Sequence, residues 1–336
     1  MKFGSFRLEE AEGGILAHSF QLGALRLRKG RVLSAQDIAQ LRAAGAQDVT
    51  VALLGSSDVE ENAAAARVAA GLVGLDPSDL IDVTTPFTGR VNIIARTAGL
   101  AKIDARIINV LNACDPMITC ATVAPLTRLD AGGLIATIKI ISYGVEAAAL
   151  EEVENLAAGL SAIGLIPVAL KSARLIVTQT GAEPCADKGI AAINGRLEAL
   201  GMTLGHVNSV RHETGAITAA IQEATEDLVL ILTASATSDP LDVAPEAVRQ
   251  AGGTVERFGM PVDPGNLLFL GQCGGRPVIG LPGCARSPAL NGADWVLERV
   301  ACGLVVSDAD IAGMGVGGLL KEIPQRPHPR RAAAKK

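Results

Sequence analysis

The stretch Thr233-Ala-Ser-Ala-Thr-Ser-Asp-Pro-Leu-Asp-Val-Ala-Pro-Glu-Ala247 concentrates groups that could handle an anion. It offers hydroxyls at Thr233, Ser235, Thr237 and Ser238, carboxylates at Asp239 and Asp242, and a helix start expected at Pro245. Proline suits a first helical position, and the free N–H groups and dipole of a helix start favour negative charge. A phosphate with Mg2+ held by a carboxylate would suit this loop, because Mg2+ takes oxygen ligands from carboxylates and substrate phosphates. Alternatively, Ser238 and Asp242 cap the helix or a turn, as short polar side chains do. Local sequence leaves both open.

Other candidates carry less chemistry. Gly313-Met-Gly-Val-Gly-Gly318 spells the dinucleotide pattern G-x-G-x-x-G. That pattern works where a strand precedes and a helix follows, so that backbone N–H groups meet a pyrophosphate. Too little chain follows to complete such a unit, and a turn or linker is expected. His18, His206 and His328 show no ligand spacing, and His212 is a candidate only through its loop. The six cysteines (Cys114, Cys120, Cys185, Cys273, Cys284, Cys302) include no C-x-x-C pair, so reduced, buried thiols are expected.

The elements that must position these groups follow from periodicity and turn residues. In the first half, Leu33–Gly45 is a helix in outline, capped by Ser34 with Asp37 three residues on and stopped by Gly45. Further helices are expected over Asp58–Leu72, opened by Ser57, and over Glu146–Leu160. Ile118–Val123 and Leu134–Ile141 look like strands joined through Pro125 and Asp130-Ala-Gly-Gly133. The second half alternates. Strands are expected at Arg174–Thr180, Thr203–Val210, Leu228–Leu232 and Pro277–Leu281, with helices at Asp187–Leu200, Ala216–Ala224 and Pro245–Ala251. Such alternation implies parallel βαβ units, an open sheet covered on both faces, and ligands beyond the carboxyl ends of its strands. The loops after Thr180, Leu232 and Leu281 are therefore the ones to watch.

Composition bounds the function. The chain has 336 residues, enough for two domains at roughly 100–200 residues each. Half of it is apolar (49%), which excludes wholesale disorder. A net charge of -5 with one Trp, one Tyr and six Phe argues against nucleic acid, which needs a basic face or a stacking platform. No apolar run reaches the roughly 18 residues of a spanning helix, and Lys139 and Glu146 interrupt the region around residues 134–150. Glu9, Glu10 and Glu12 stand where a signal peptide needs an apolar core, so the cytoplasm is the expected compartment. Pro324–Lys336, with three prolines and five basic residues, reads as a disordered tail.

Residues 172–305 resemble the molybdopterin-binding domain shared by molybdopterin adenylyltransferases and molybdenum insertases. Leu175-Ile-Val-Thr-Gln-Thr-Gly-Ala-Glu183 is similar to the first strand and Thr-Gly loop of that family. Asp242-Val-Ala-Pro-Glu-Ala247 is similar to the adenylyltransferase segment Asp-Val-Thr-Pro-Glu-Ala, and Gly280-Leu-Pro-Gly-Cys-Ala-Arg-Ser287 to Gly-Leu-Pro-Gly-Asn-Pro-Val-Ser. Val262-Asp-Pro-Gly-Asn-Leu267 stands where insertases carry Lys-Pro-Gly-Lys-Pro. Gly30–Val51 and Ala136–Ile141 resemble, more loosely, the insertase region that precedes this domain. Departures are equally plain. The family's Gly-Gly after the central strand is Ser235-Ala236, its loop carboxylate falls at His212 or Glu213, and its two lysines are replaced by Asp263 and Asn266.

The resemblance implies an α/β fold: a three-layer open, mostly parallel sheet over residues 172–305, preceded by a smaller α+β region (1–171) and followed by an extension (306–336). It implies molybdopterin as ligand, held by Thr180, Gly181, Thr233, Ser235, Ser238, Leu281, Pro282, Gly283 and Ser287, with Asp242 as catalytic residue and Mg2+ ligand. Arg286 and Lys188 are candidate anion clamps, and packing roles suit them equally. The implied activity is Mg-dependent nucleotide transfer or molybdenum insertion. The alternative is a carrier that has lost catalysis and acts with a separate nucleotidyltransferase or molybdoenzyme. Self-association is expected by the same likeness.

Overall fold

Alternation of apolar side chains along the central strands organises the part of the chain that carries the candidate loops. The computed structural model describes residues 1–22, 25–74, 79–157, 160–181 and 187–320. The basic tail lies outside them. Two compact units divide the chain: Met1–Thr97 with Ala101–Leu165, and Ala98–Leu100 with Ile166–Lys336.

The first unit is built from small antiparallel sheets and helices. Lys2–Arg7, Asp48–Leu53 and Ile15–Leu16 form one sheet, against which helix Ala35–Ala43 buries Ile38 and Leu41. Ser34 caps that helix in a full capping box with Asp37, the arrangement its sequence predicts. A four-stranded sheet of Ile118–Thr122, Leu134–Ile140, Arg90–Ala95 and Ile81–Val83 shares a second core with helices Glu61–Val73, Ala105–Cys114 and Ala147–Ala157. Two expected helices begin late. Asp58–Glu60 and Gly144–Glu146 pair as antiparallel strands, so Glu60, not Ser57, caps the following helix through Asn62 N and Ala63 N. Strand pairing here overrides helix propensity at the chain's entry to each helix.

The second unit runs β1 (Ser172–Gln179), α1 (Asp187–Glu198), β2 (Thr203–Arg211), α2 (Thr214–Gln222), β3 (Leu228–Leu232), α3 (Val243–Gln250), β4 (Thr254–Phe258), β5 (Phe269–Cys273), β6 (Arg276–Leu281), α4 (Gly292–Ala301) and α5 (Asp308–Gly313). Its six-stranded sheet has the order β2-β1-β3-β6-β5-β4. The first four strands are parallel, and β5 runs antiparallel to both neighbours. Leu175, Val177, Leu228, Leu230 and Leu232 face one side with Ile193 of α1 and Leu297 of α4. Ile176, Val229 and Ile231 face the other with Ile217 of α2 and Val248 of α3. A strand covered on both faces reads as an unbroken apolar run, which is why β3 was legible. This is the expected three-layer, mostly parallel α/β sheet. The pair β4 and β5 was not foreseen, because both strands are short and broken by glycine or charge.

The amino end of this sheet holds a buried ion cluster. Glu226 accepts from Arg174 Nε (2.8 Å) and Thr225 N on one oxygen, and from His206 N and His206 Nδ1 (2.8 Å) on the other. Burial alone would raise the Glu226 carboxyl, but the Arg174 guanidinium and these N–H donors hold it well below the usual carboxylate range. Gly205 leaves the room: a Cβ there would lie 2.7 Å from Glu226 Oε1. At this point β2 bulges, with Gly205 and His206 opposite the single residue Arg174, and β4 bulges at Glu256.

Candidate functional site at the carboxyl edge of the sheet

Four parallel strands deliver four loops to one edge of the sheet: Thr180–Gly181 after β1, His212–Glu213 after β2, Thr233–Asp242 after β3, and Pro282–Ser287 after β6. In open α/β sheets the ligand crevice forms at this edge. The ligand- and Mg2+-binding residues implied by the resemblance belong to the β1, β3 or β6 exits, His212 to the β2 exit, and Lys188 to α1. Thr180 and Gly181 are exposed, as are Ser235, Ser238, Gly283 and Ser287. Leu281 and Pro282 are buried, so their side chains serve the core and only their backbone can serve the loop.

One peptide group fixes the geometry. The carbonyl of Thr233 accepts from Arg286 Nη2 at 2.8 Å, and the N–H of the same peptide, on Ala234, donates to Thr178 Oγ1 at 2.8 Å. Thr178 Oγ1 also lies 2.9 Å from His212 Nδ1. A continuous hydrogen-bonded run therefore links the exits of β2, β1, β3 and β6. The next residues are shaped by Thr233 Oγ1 donating to Ser235 O at 2.6 Å. Gly189 of α1 lets Arg286 approach, since a Cβ there would lie 3.4 Å from Arg286 Cγ and 3.1 Å from Leu232 Cδ2. Arg286 thus earns its place as a loop clamp, whereas Lys188 is simply exposed at the start of α1.

Asp242 is the N-cap of α3. Its Oδ1 accepts from Val243 N at 2.7 Å and its Oδ2 from Ser238 N at 3.0 Å. The helix begins at Val243, two residues before the expected start, because Asp242 rather than a later residue supplies the cap; Pro245 then stands third, where its missing N–H still costs no bond. Asp239 Oδ1 takes Leu241 N, and Arg249 Nη1 donates to Pro240 O, so the loop is held along its length.

The Pro282–Ser287 turn is held from α1. Arg196 donates to Ala285 O (3.1 Å), Ser287 O (2.8 Å) and Ala289 O (3.1 Å), and its Nε pairs with Asp294. Sequence reading passed over Arg196, which looks like any polar helix residue, and Thr178, which looks like a strand residue in an apolar run. Neither type nor spacing signals that their partners lie tens of residues away.

The segment in the insertase-loop position packs on α4. Gly292 N donates to Pro264 O, and Gly265, at φ +144°, stands where a Cβ would lie 2.8 Å from Gly292 N. Asp263 exchanges backbone bonds with Gly318 O and Leu320 N. Gly313-Met-Gly-Val-Gly-Gly318 follows helix α5 instead of a strand and braces this loop, which is not the setting of a dinucleotide site. Among the described residues no group of three or more His, Cys, Asp or Glu could hold a metal ion, and no helix is long and apolar enough to cross a membrane.

Residues 170–300 match the family described as a probable molybdopterin binding domain, and residues 5–53 match a domain of unknown function. None of the curated proteins compared with the chain matches it. Among solved structures, the molybdopterin biosynthesis moea protein of Pyrococcus horikosii is 14% identical, with 90% of this chain and 76% of that one covered and a TM-score of 0.32. A molybdenum cofactor biosynthesis protein of Pyrococcus furiosus is 12% identical over 93% of this chain and 65% of its own, with a TM-score of 0.25.

Proposed function

We propose, starting from the match of residues 170–300 to the family described as a probable molybdopterin binding domain, that the chain binds molybdopterin at the carboxyl edge of its second-unit sheet. The observation that carries this reading is that the family match falls on the unit whose four strand exits are tied into one rigid edge. The ligand's phosphate would lie against the exposed hydroxyls of Ser235 and Ser238 and the backbone of Leu281–Gly283, with Thr180, Gly181 and Ser287 completing the rim, while Thr233, buried and with its hydroxyl bonded to Ser235 O, shapes the loop from beneath.

The donor set does not suit Mg2+. The ion wants several oxygen ligands, yet both oxygens of Asp242 already accept backbone N–H groups, and Asp239 caps its own turn. That engagement of Asp242 favours a carrier, which would present molybdopterin to a separate nucleotidyltransferase or molybdoenzyme, over a nucleotide- or molybdenum-transferring enzyme. Self-association would be compatible with either role.

Titration of the purified chain with molybdopterin tests the reading: saturable binding supports it, and no binding overturns it. Turnover with Mg-ATP, Mg-CTP or molybdate separates the two roles. Turnover abolished in Asp242→Asn, which still caps a helix well, would establish the enzyme; absence of turnover in a chain that binds would establish the carrier.

A further inference from the structure

We infer that His212 is a phosphate-binding donor of this edge, presenting a neutral Nε2–H to the ligand so that part of the phosphate charge is met without a divalent cation. The inference rests on the molybdopterin reading above for its ligand, but its geometry stands independently.

Thr178 is 2% exposed and so has no water to turn to. A threonine hydroxyl has one hydrogen and accepts elsewhere. It accepts Ala234 N–H at 2.8 Å, and the remaining neighbour within reach is His212 Nδ1 at 2.9 Å. If Nδ1 carried the proton, the Thr178 hydrogen would be buried without an acceptor, the costly case for a buried polar group. The satisfied arrangement is Thr178 Oγ1–H donating to Nδ1. The imidazole is then the tautomer with its proton on Nε2, because the bond made by one ring nitrogen fixes the other.

The position of the ring suits a ligand. His212 is the first residue beyond β2 and is half-buried. Its backbone N donates to Gln179 O at 2.8 Å, which pins it beside the start of the Thr180–Gly181 loop. Among the described residues Nε2 has no partner. Across the locked Thr233–Ala234 peptide stands Arg286, so a donor and a cation flank the same loop. A fixed N–H is a good partner for a phosphate oxygen and no ligand at all for Mg2+, in keeping with the engagement of Asp242 as a cap.

The test uses the full chain with 15N-labelled histidine, whose four residues are separated by comparison with His212→Ala. The ring nitrogens of His212 are expected to show the Nε2–H tautomer, and Thr178→Val is expected to abolish that preference. Addition of inorganic phosphate, and separately of molybdopterin, is expected to shift Nε2. Molybdopterin affinity is expected to fall about tenfold to a hundredfold in His212→Ala, the loss of one hydrogen bond to a charged group, and to be unchanged by a chelator. An Nδ1–H tautomer overturns the inference, as does an unmoved resonance with both ligands. Molybdopterin bound equally by His212→Ala overturns it while leaving the molybdopterin reading intact. A chain that ignores molybdopterin but shows the phosphate shift overturns that reading and keeps His212 as an anion donor.

Discussion

Gly280 is the first residue of the Gly280-Leu-Pro-Gly283 motif, and its place in the sheet makes a sharp prediction. It pairs with Phe269 across β5 and β6. A Cβ at Gly280 would lie 1.9 Å from Phe269 Cε1, 2.1 Å from Cδ1 and 2.4 Å from Cζ. Phe269 is fully buried, so the ring cannot swing into open space. In Gly280→Ala, either the strands part or the ring leaves the core. Overpacking costs about 1–3 kcal/mol, and loss of a buried Phe about 3–5 kcal/mol. The backbone gain on replacing glycine is only about 0.5–1 kcal/mol. A net loss of about 3 kcal/mol is therefore expected. Trp295, the only tryptophan, packs against the second-unit core, so its fluorescence in a urea titration reports this unit alone. That matters because a chain of two units need not unfold in one step. In a Phe269→Ala background the same substitution should cost less than about 1 kcal/mol, since the clash is gone. Equal costs in the two backgrounds, or a loss below about 1 kcal/mol in the wild-type background, would refute the reasoning. The motif's first glycine would then have to be explained by something other than the ring that lies on it.

Three other outcomes follow from the same geometry. Glu226→Gln, which leaves Arg174 buried without its counter-charge, should cost about 3–5 kcal/mol at pH 7 by the same fluorescence assay. Because the folded-state Glu226 carboxyl is held low, its stabilisation is fully present above the ordinary carboxylate range and is lost as pH falls below that range towards the depressed folded-state value; the substitution should flatten this acid limb. Thr88 occupies the first central position of the tight turn Phe87–Arg90 at φ +49°, followed by Gly89 at +68°. That turn favours Asn-Gly, so Thr88→Asn should stabilise the first unit by about 1 kcal/mol, seen as a raised Tm by circular dichroism. Burial pushes the Cys120 thiol up to about 12 and the Cys302 thiol up to about 11. Since the thiolate is the nucleophile, both should resist a chromogenic disulfide reagent at pH 8 until the protein is unfolded.

The central part of the second unit was legible because its strands are apolar on both faces and its helices carry end signals within a few residues of one another. The capping box at Ser34 is legible for the same reason: partner and donor are three residues apart. What could not be read was long-range. Asp58–Glu60 looks helical until Gly144–Glu146 arrives to pair with it, and Pro245 looks like a helix start until Asp242 is seen to take the cap. The motifs of the carboxyl edge fall in the loops that follow β1, β3 and β6, yet the hydrogen bonds that hold those loops could not be read from them. Leu281 and Gly280 serve the core, and the bonds that hold the edge come from Thr178 and Arg196, whose partners are 56 and 89 to 93 residues away.

The two bulges on the outer strands bear on how the molecule behaves in a crowded solution. A sheet whose outermost strands are regular offers a row of open N–H and C=O groups on which another sheet can grow. Here β2 is interrupted midway, and the N–H of His206 is turned inward to Glu226. At the far side β4 loses register at Glu256. Neither border can zip continuously with a neighbour. The buried charge cluster therefore blunts one of the sheet's two borders, and the bulge at Glu256 the other.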